Sequence, residues 1–164
     1  MKRAGVVTVR QRVPADDERI LSLAKPSFGK YSLAPEQGVW GMLNHRGSVT
    51  VVAEAEGRVV GFAIVSFEAL SKPFGPWARP VLAHLDAIAV QERAQGMGVG
   101  SALITEVERI SRSREAVSIN LRTATTNTRA QALFRRAGFQ KSLRIESFYR
   151  GGLGAFAMTK LLAT

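Results

Sequence analysis

Three glycines at alternate positions, Gly96, Gly98 and Gly100, stand between an apolar run ending Ile88-Ala89-Val90 and a segment of helical periodicity. Glycine lets a backbone approach a ligand closely, and the first amides of a helix lack intrahelical partners. The segment therefore describes a site for a phosphate or diphosphate. Gly100 stands where a phosphate loop carries lysine before Ser101, which removes Mg-nucleotide chemistry. The Gly-x-Gly-x-Gly spacing, set after a polar gap from Gln91 to Gln95 and past mid-chain, also departs from the dinucleotide fingerprint. On the glycines alone, a tight turn holding no ligand is the competing reading. Just upstream, two-residue alternation puts His84 and Asp86 on one strand face with Ile88. An imidazole and a carboxylate there could take a proton from a nucleophile or relay it through water. A hydrogen-bonded strand histidine and a structural carboxylate are the alternatives.

Other chemistries are removed by composition. No cysteine is present, which excludes disulfides, thiolate metal sites and cysteine nucleophiles, and His45 and His84 are too few for a histidine-rich metal centre. No metal is expected. With 164 residues, 46% apolar and 22% charged, the chain reads as one globular domain over residues 1–164. No apolar run approaches the roughly 18–20 residues of a membrane helix. The stretch Ala4 to Val9, after Lys2 and Arg3, stops at Arg10, too soon for a signal-peptide core, and reads as a first strand. The expectation is a soluble, cytoplasmic protein without a membrane partner. A net charge of +10 draws anions, among them nucleic acid or a polyphosphorylated cofactor. Basic residues are scattered, however, with no aromatic-interleaved basic motif of the RNA-binding kind.

The elements that must position these residues follow from periodicity. Gly5 to Val13 alternates as a strand, and Pro14 opens a helix whose first turn carries Asp16, Asp17 and Glu18. A second helix is predicted from Pro35 to Asn44. Val49–Ala55 and Arg58–Phe67 form a hairpin about Glu56-Gly57. Leu70 to Leu82, rich in proline, is a loop and a candidate lid, and Trp40 and Trp77 are candidate walls of an acceptor cleft. A strand spans His84–Val90, a helix starts at Gly98, and Val117 to Arg122 alternates as another strand. The next helix is capped by Asn127, or by a box of Thr128 and Gln131, and ends at Gly138. Two last strands, Gln140–Arg150 and Ala155–Leu162, meet at Gly151-Gly152. The layout is a mixed α/β domain around one sheet.

Two motifs then carry a resemblance. Gln95-Gly96-Met97-Gly98-Val99-Gly100 is similar to the Q/R-x-x-G-x-G/A signature of the GNAT superfamily of N-acetyltransferases. Asn127-x-x-Ala130-x-x-Leu133-Phe134-x-x-x-Gly138-Phe139 resembles that family's N-x-x-A-x-x-L-Y-x-x-x-G-F element, and element order agrees down to Met158-x-Lys160-x-Leu162. The resemblance implies an α+β acyl-CoA N-acyltransferase fold, a mostly antiparallel central sheet with about four flanking helices, and acetyl-CoA as cosubstrate. Ile88, Ala89 and Val90 would then hold the pantetheine arm, and the amides from Gln95 through Gly96, Met97, Gly98, Val99, Gly100 and Ser101 the diphosphate. Asn127, Ala130 and Phe134 would complete the cofactor site, with Arg93, Arg129 and Arg135 near in sequence.

Two familiar catalytic groups do not carry over. The tyrosine of the second motif is Phe134, which cannot protonate a leaving thiolate, and the glutamate that some members place five residues before the asparagine is Arg122. His84 as base, Asp86 beside it and Tyr149 as acid are the remaining catalytic candidates. The implied acceptor is a small-molecule or peptide amine, in a cleft lined by the N-terminal helices, the 70–82 loop and the last strands. Family members often pair through terminal strands, which makes a homodimer an expectation of the same kind. A CoA-binding sensor and an acetyltransferase acting on aminoacyl-tRNA are the alternative functions.

Overall fold

The computed structural model describes residues 5–162, so the part of the N-terminal reading that rests on Lys2, Arg3 and Ala4 lies outside it. In chain order come β1 (Thr8–Gln11), α1 (Asp17–Phe28), α2 (Pro35–Leu43), β2 (Val49–Ala55) and β3 (Arg58–Ala69). Then follow β4 (Val81–Val90), α3 (Val99–Ser113), β5 (Ala116–Ala124), α4 (Thr128–Arg136), β6 (Gln140–Ile145) and β7 (Ala155–Leu161). The seven strands form one sheet in the order β1-β2-β3-β4-β5-β7-β6, antiparallel throughout except between β4 and β5. This is the mixed, mostly antiparallel sheet with four helices that the family resemblance implies. No helix of the described residues is long and apolar enough to cross a membrane.

Local chemistry explains most boundaries. The β2–β3 hairpin turns at Glu56 and Gly57, both at positive φ (52° and 73°), as a two-residue turn matched to strand twist requires. Four predicted boundaries are corrected. Pro14 opens a three-residue 3-10 turn (Pro14–Asp16) before α1, and β1 is shorter than Gly5 to Val13. Strand β4 begins at Val81 because β3 runs on to Ala69 and pairs with it. Strand β6 stops at Ile145, so Tyr149 lies on the connection to β7 and not within a strand.

Two apolar cores sandwich the sheet. On one face α3 and α4 press Leu103, Val107 and Phe134 onto Ala83, Leu85 and Ile119. On the other, α1 and α2 press Ile20, Leu23 and Val39 onto Phe62, Ala87 and Ala89. Each such large side chain contributes roughly 1.5–3 kcal/mol by leaving water. Gly61 makes the first packing close. A Cβ there would lie 2.9 Å from the Ala89 carbonyl oxygen and 3.2 Å from Leu103, so only glycine lets α3 settle at this depth on β3.

The entry to α1 is held by charge. The Asp16 carboxylate accepts two hydrogen bonds from Arg10 (2.8 and 3.0 Å) and one from the Val13 amide (2.8 Å). Arg10 foremost, then the Val13 bond, keep this carboxyl below its ordinary range despite burial. Its contribution is therefore complete above the unfolded pKa of about 3.9 and is lost as pH falls through the lower folded value. Asp16→Ala should cost about 1.5–3 kcal/mol at pH 7. The gap between the two melting temperatures should narrow as pH is lowered from 5 towards 2, and a constant gap would speak against this assignment.

Candidate active site

The site begins where two strands part company. β4 and β5 pair only from Val81 to His84, with a register shift after Val81, the last pair being His84 with Asn120. Beyond it, Leu85 to Val90 keep their bonds to β3 but have no strand on the other side, so their outward amides and carbonyls face a cleft. Asn120 stitches this vertex. Its amide donates to the Ala83 carbonyl (3.3 Å) and to Ser118 Oγ (3.0 Å), while its carbonyl oxygen accepts from Thr159 Oγ1 (3.0 Å).

A bulge aims the carboxylate. Ile64 pairs with Ala87 and Val65 with Leu85, which leaves Asp86 as the extra residue of β4. The bulge reverses the alternation: Ala83 and Leu85 belong to the α3 core, whereas Ala87 and Ala89 belong to the α1–α2 core. The predicted common face of His84, Asp86 and Ile88 is thereby corrected, since Ile88 packs on the α3 side. Asp86 lines an inner cavity of about 250 Å³ with Arg122, Tyr31, Tyr149, Met42 and Leu121. His84 lines neither this cavity nor the groove beside it, and its Nε2 lies 2.9 Å from Glu68 Oε2. Tyr149 enters from the β6–β7 connection and meets Tyr31 with ring centroids 5.1 Å apart. Burial foremost pushes the Tyr149 hydroxyl above its usual pKa, so it stays protonated at neutral pH.

The inner cavity opens into a groove of about 880 Å³, the two sharing Phe28, Tyr31, Ile88, Asn127, Ala130 and Phe134. At its far end Gly98 caps α3 in the left-handed region (φ 83°), after Gly96 at φ 81°. The first turn-closing bond of α3 runs from the Ala102 amide to the Gly98 carbonyl (3.0 Å), so the amides of Val99, Gly100 and Ser101 have no preceding helical carbonyl. Gln95 ties the loop back through a bond to the Val90 carbonyl (3.2 Å). A Cβ on Gly96 or Gly98 would meet open space, so both are needed for their backbone angles. Gly100 differs, because a Cβ there would lie 2.8 Å from Leu133, and its smallness serves the α3–α4 contact. Met97 packs against the core and does not line the groove. Arg19, Lys30, Arg93, Arg129 and Arg136 line it against the single acid Glu92, and Arg136 replaces the predicted Arg135. An extended edge for amides, a helix N-terminus and an excess of cations are the donor set that a pantetheine-linked polyphosphate requires.

In the second motif, Asn127 itself caps α4, accepting from the Ala130 amide (3.1 Å). Gln131 is no part of a capping box, since it is buried and donates to the Ala124 and Thr125 carbonyls. Phe134 is buried edge-to-face on Phe139, so an apolar ring fills the place of the usual tyrosine. The 70–82 loop lines neither the cavity nor the groove: Phe74 and Trp77 stack on each other, and Trp40 is likewise absent from both linings. Sequence reasoning passed over Tyr31 and Lys30, and treated Arg122 only as a missing glutamate. No local signal marks them, since they reach the site through loop and register geometry. Among the described residues no group of three or more His, Asp or Glu side chains converges.

Comparison with known proteins agrees with this geometry. The family model described as "Acetyltransferase (GNAT) family" matches residues 18–139. An aminoglycoside N(6')-acetyltransferase type 1 of Stenotrophomonas maltophilia is 28% identical over 145 residues, 88% of this chain and 94% of that protein. Arabidopsis thaliana NAA60 in complex with acetyl-CoA superposes with a TM-score of 0.81 at 19% identity, over 96% of this chain and 99% of that one. A ribosomal-protein-alanine N-acetyltransferase of Brucella melitensis gives 0.74 at 23% identity, over 94% and 99%.

Proposed function

Because this chain belongs to the acetyltransferase (GNAT) family, we propose that it carries an acetyl group from acetyl-CoA directly onto a primary amine held in the inner cavity. The carrying observation is the fork between β4 and β5, which opens the anion-binding groove onto a cavity lined by one carboxylate, Asp86, and two tyrosines, of which Tyr149 is held protonated by burial. Acetyl-CoA supplies the activated thioester. The chain's own groups do the rest. The amides of Val99 to Ser101 hold the diphosphate, and the free edge of Ile88 to Val90 aligns the arm. Asp86 Oδ takes the proton that a cationic amine must lose before it can attack. His84, beneath the bulge and paired with Glu68, passes that proton towards solvent. Tyr149 donates its O–H proton to the departing sulfur as the C–S bond breaks, the role Phe134 cannot fill, and regains a proton from the nitrogen, which sheds its second proton as the amide forms.

Thiol release on a panel of amines tests this. Tyr149→Phe should lower kcat about tenfold, less than the roughly 10²–10⁴ of a general acid at a poor leaving group, because a thiol of modest pKa leaves more readily. His84→Ala should have a smaller effect than any change at Asp86. No turnover on any amine, together with a melting temperature raised by coenzyme A, would favour the CoA-binding sensor instead.

A further inference from the structure

The inner cavity is too small for a whole acceptor of drug size. At about 250 Å³ it lies below the roughly 300–1,000 Å³ of pockets that enclose complete small molecules. It admits an amine with one side chain. Asp86 is its one acid, and Arg122 on the opposite strand repels a second cation. A polyamine sugar, with several ammonium groups to neutralise, finds one carboxylate where it needs more.

The rest of the acceptor must lie outside, and one part of the sheet is shaped for it. Ser66, His84, Asn120, Thr159 and Gln140 are successive partners across β3, β4, β5, β7 and β6, so they form a single row perpendicular to the strands at the vertex of the fork. The helices α1 and α2 stop short of it, because their contacts on this face are Phe62, Ile64, Ala87 and Ala89. The His84 and Glu68 side chains are 35% and 56% exposed. Beside the row, β3 from Ser66 to Ala69 has no partner on its outer edge, as β2 pairs only as far as Val65. At about 4.8 Å per strand the row spans roughly 19 Å, the length of about six extended residues. Its side chains are neutral, apart from a histidine already paired with a glutamate. Asn120 and Thr159 already bond to each other, while Ser66 and Gln140 at the flanks suit amide dipoles, and the row offers neither free cations for phosphate nor free carboxylates for a polycation.

The amine is selected in the same way. Among the described residues the titratable groups lining the cavity are Asp86, Arg122, Tyr31 and Tyr149, with no histidine or lysine beside them to take a proton. An α-amine, with a pKa of about 7.7–8.0, is partly neutral there already, whereas a lysine amine at about 10.4 is not. Resting on the acetyl-transfer reading above, we infer that the acceptor is the α-amine of a polypeptide whose following residues lie extended across the Ser66–Gln140 row.

The test uses thiol release by the intact protein on peptides of two, four and six residues beginning Met-Gly, with a free α-amine. Beside them stand an α-acetylated hexapeptide carrying one lysine, and a polyamine aminoglycoside. The value of kcat/KM should rise about tenfold from dipeptide to hexapeptide, and the blocked peptide and the sugar should turn over less than a hundredth as fast as the hexapeptide. In the double variant Ser66→Ala, Gln140→Ala the hexapeptide-to-dipeptide ratio should fall towards one, a ratio that partial unfolding leaves untouched. Turnover independent of length, or the sugar or blocked lysine peptide as the better substrate, overturns the inference and leaves acetyl transfer standing. No turnover with any acceptor, while coenzyme A still raises the melting temperature, overturns acetyl transfer itself and this inference with it.

Discussion

Asp86→Asn should lower kcat about a hundredfold or more and leave the KM for acetyl-CoA within about twofold, because a positioned general base contributes roughly 10²–10⁴. The substitution keeps the volume of the side chain and removes only its ability to hold a proton. Asp86 is the extra residue of the β4 bulge, so its backbone is already outside the ladder and its side chain carries no packing that asparagine would lose. It is also the sole acid lining the inner cavity. The proposed diphosphate site, around Gly96 to Ser101, lines the groove and not the inner cavity, which is why cofactor affinity should hardly respond. A variant with wild-type kcat and an unchanged pH profile would move the proton to His84 or to water.

Gly98→Val should raise the KM for acetyl-CoA about tenfold to a hundredfold and change kcat at saturation only a few-fold. At φ 83° a β-branched residue pays about 1–2 kcal/mol, which the loop relieves by turning its peptide planes. The amides at the start of α3 then lose their aim, and each hydrogen bond to a charged group is worth roughly 1.5–3 kcal/mol. The cause is conformational, because a Cβ at this position meets nothing within 4 Å. Gly100→Ala provides the contrast. Its Cβ would press on the end of the Leu133 side chain, which can swing aside, so stability should drop modestly and cofactor affinity less. Titration with coenzyme A by calorimetry separates the two, and equal losses of affinity would contradict the different roles given to these glycines.

What could be read from the chain alone was whatever is settled within a few residues. The anion site at Gly96 to Ser101 was legible because a helix N-terminus and left-handed glycines are local properties. The Glu56-Gly57 hairpin and the Gly138 stop were legible for the same reason. Element order came from periodicity along the chain, and the family resemblance from two motifs seated on those elements. The catalytic side was not legible in this way. Two-residue alternation placed His84, Asp86 and Ile88 on one face, and that inference fails at a bulge whose cause lies twenty residues away in the pairing with β3. Tyr149 meets Tyr31 across more than a hundred residues of chain, and Arg122 joins them because β5 leaves β4 at Asn120. Residue types and short spacings are enough to mark a candidate polyanion site at a helix start. Strand register and loop closure are long-range, so only the tertiary structure decides which carboxylate, tyrosine and uncovered sheet face stand around the amine.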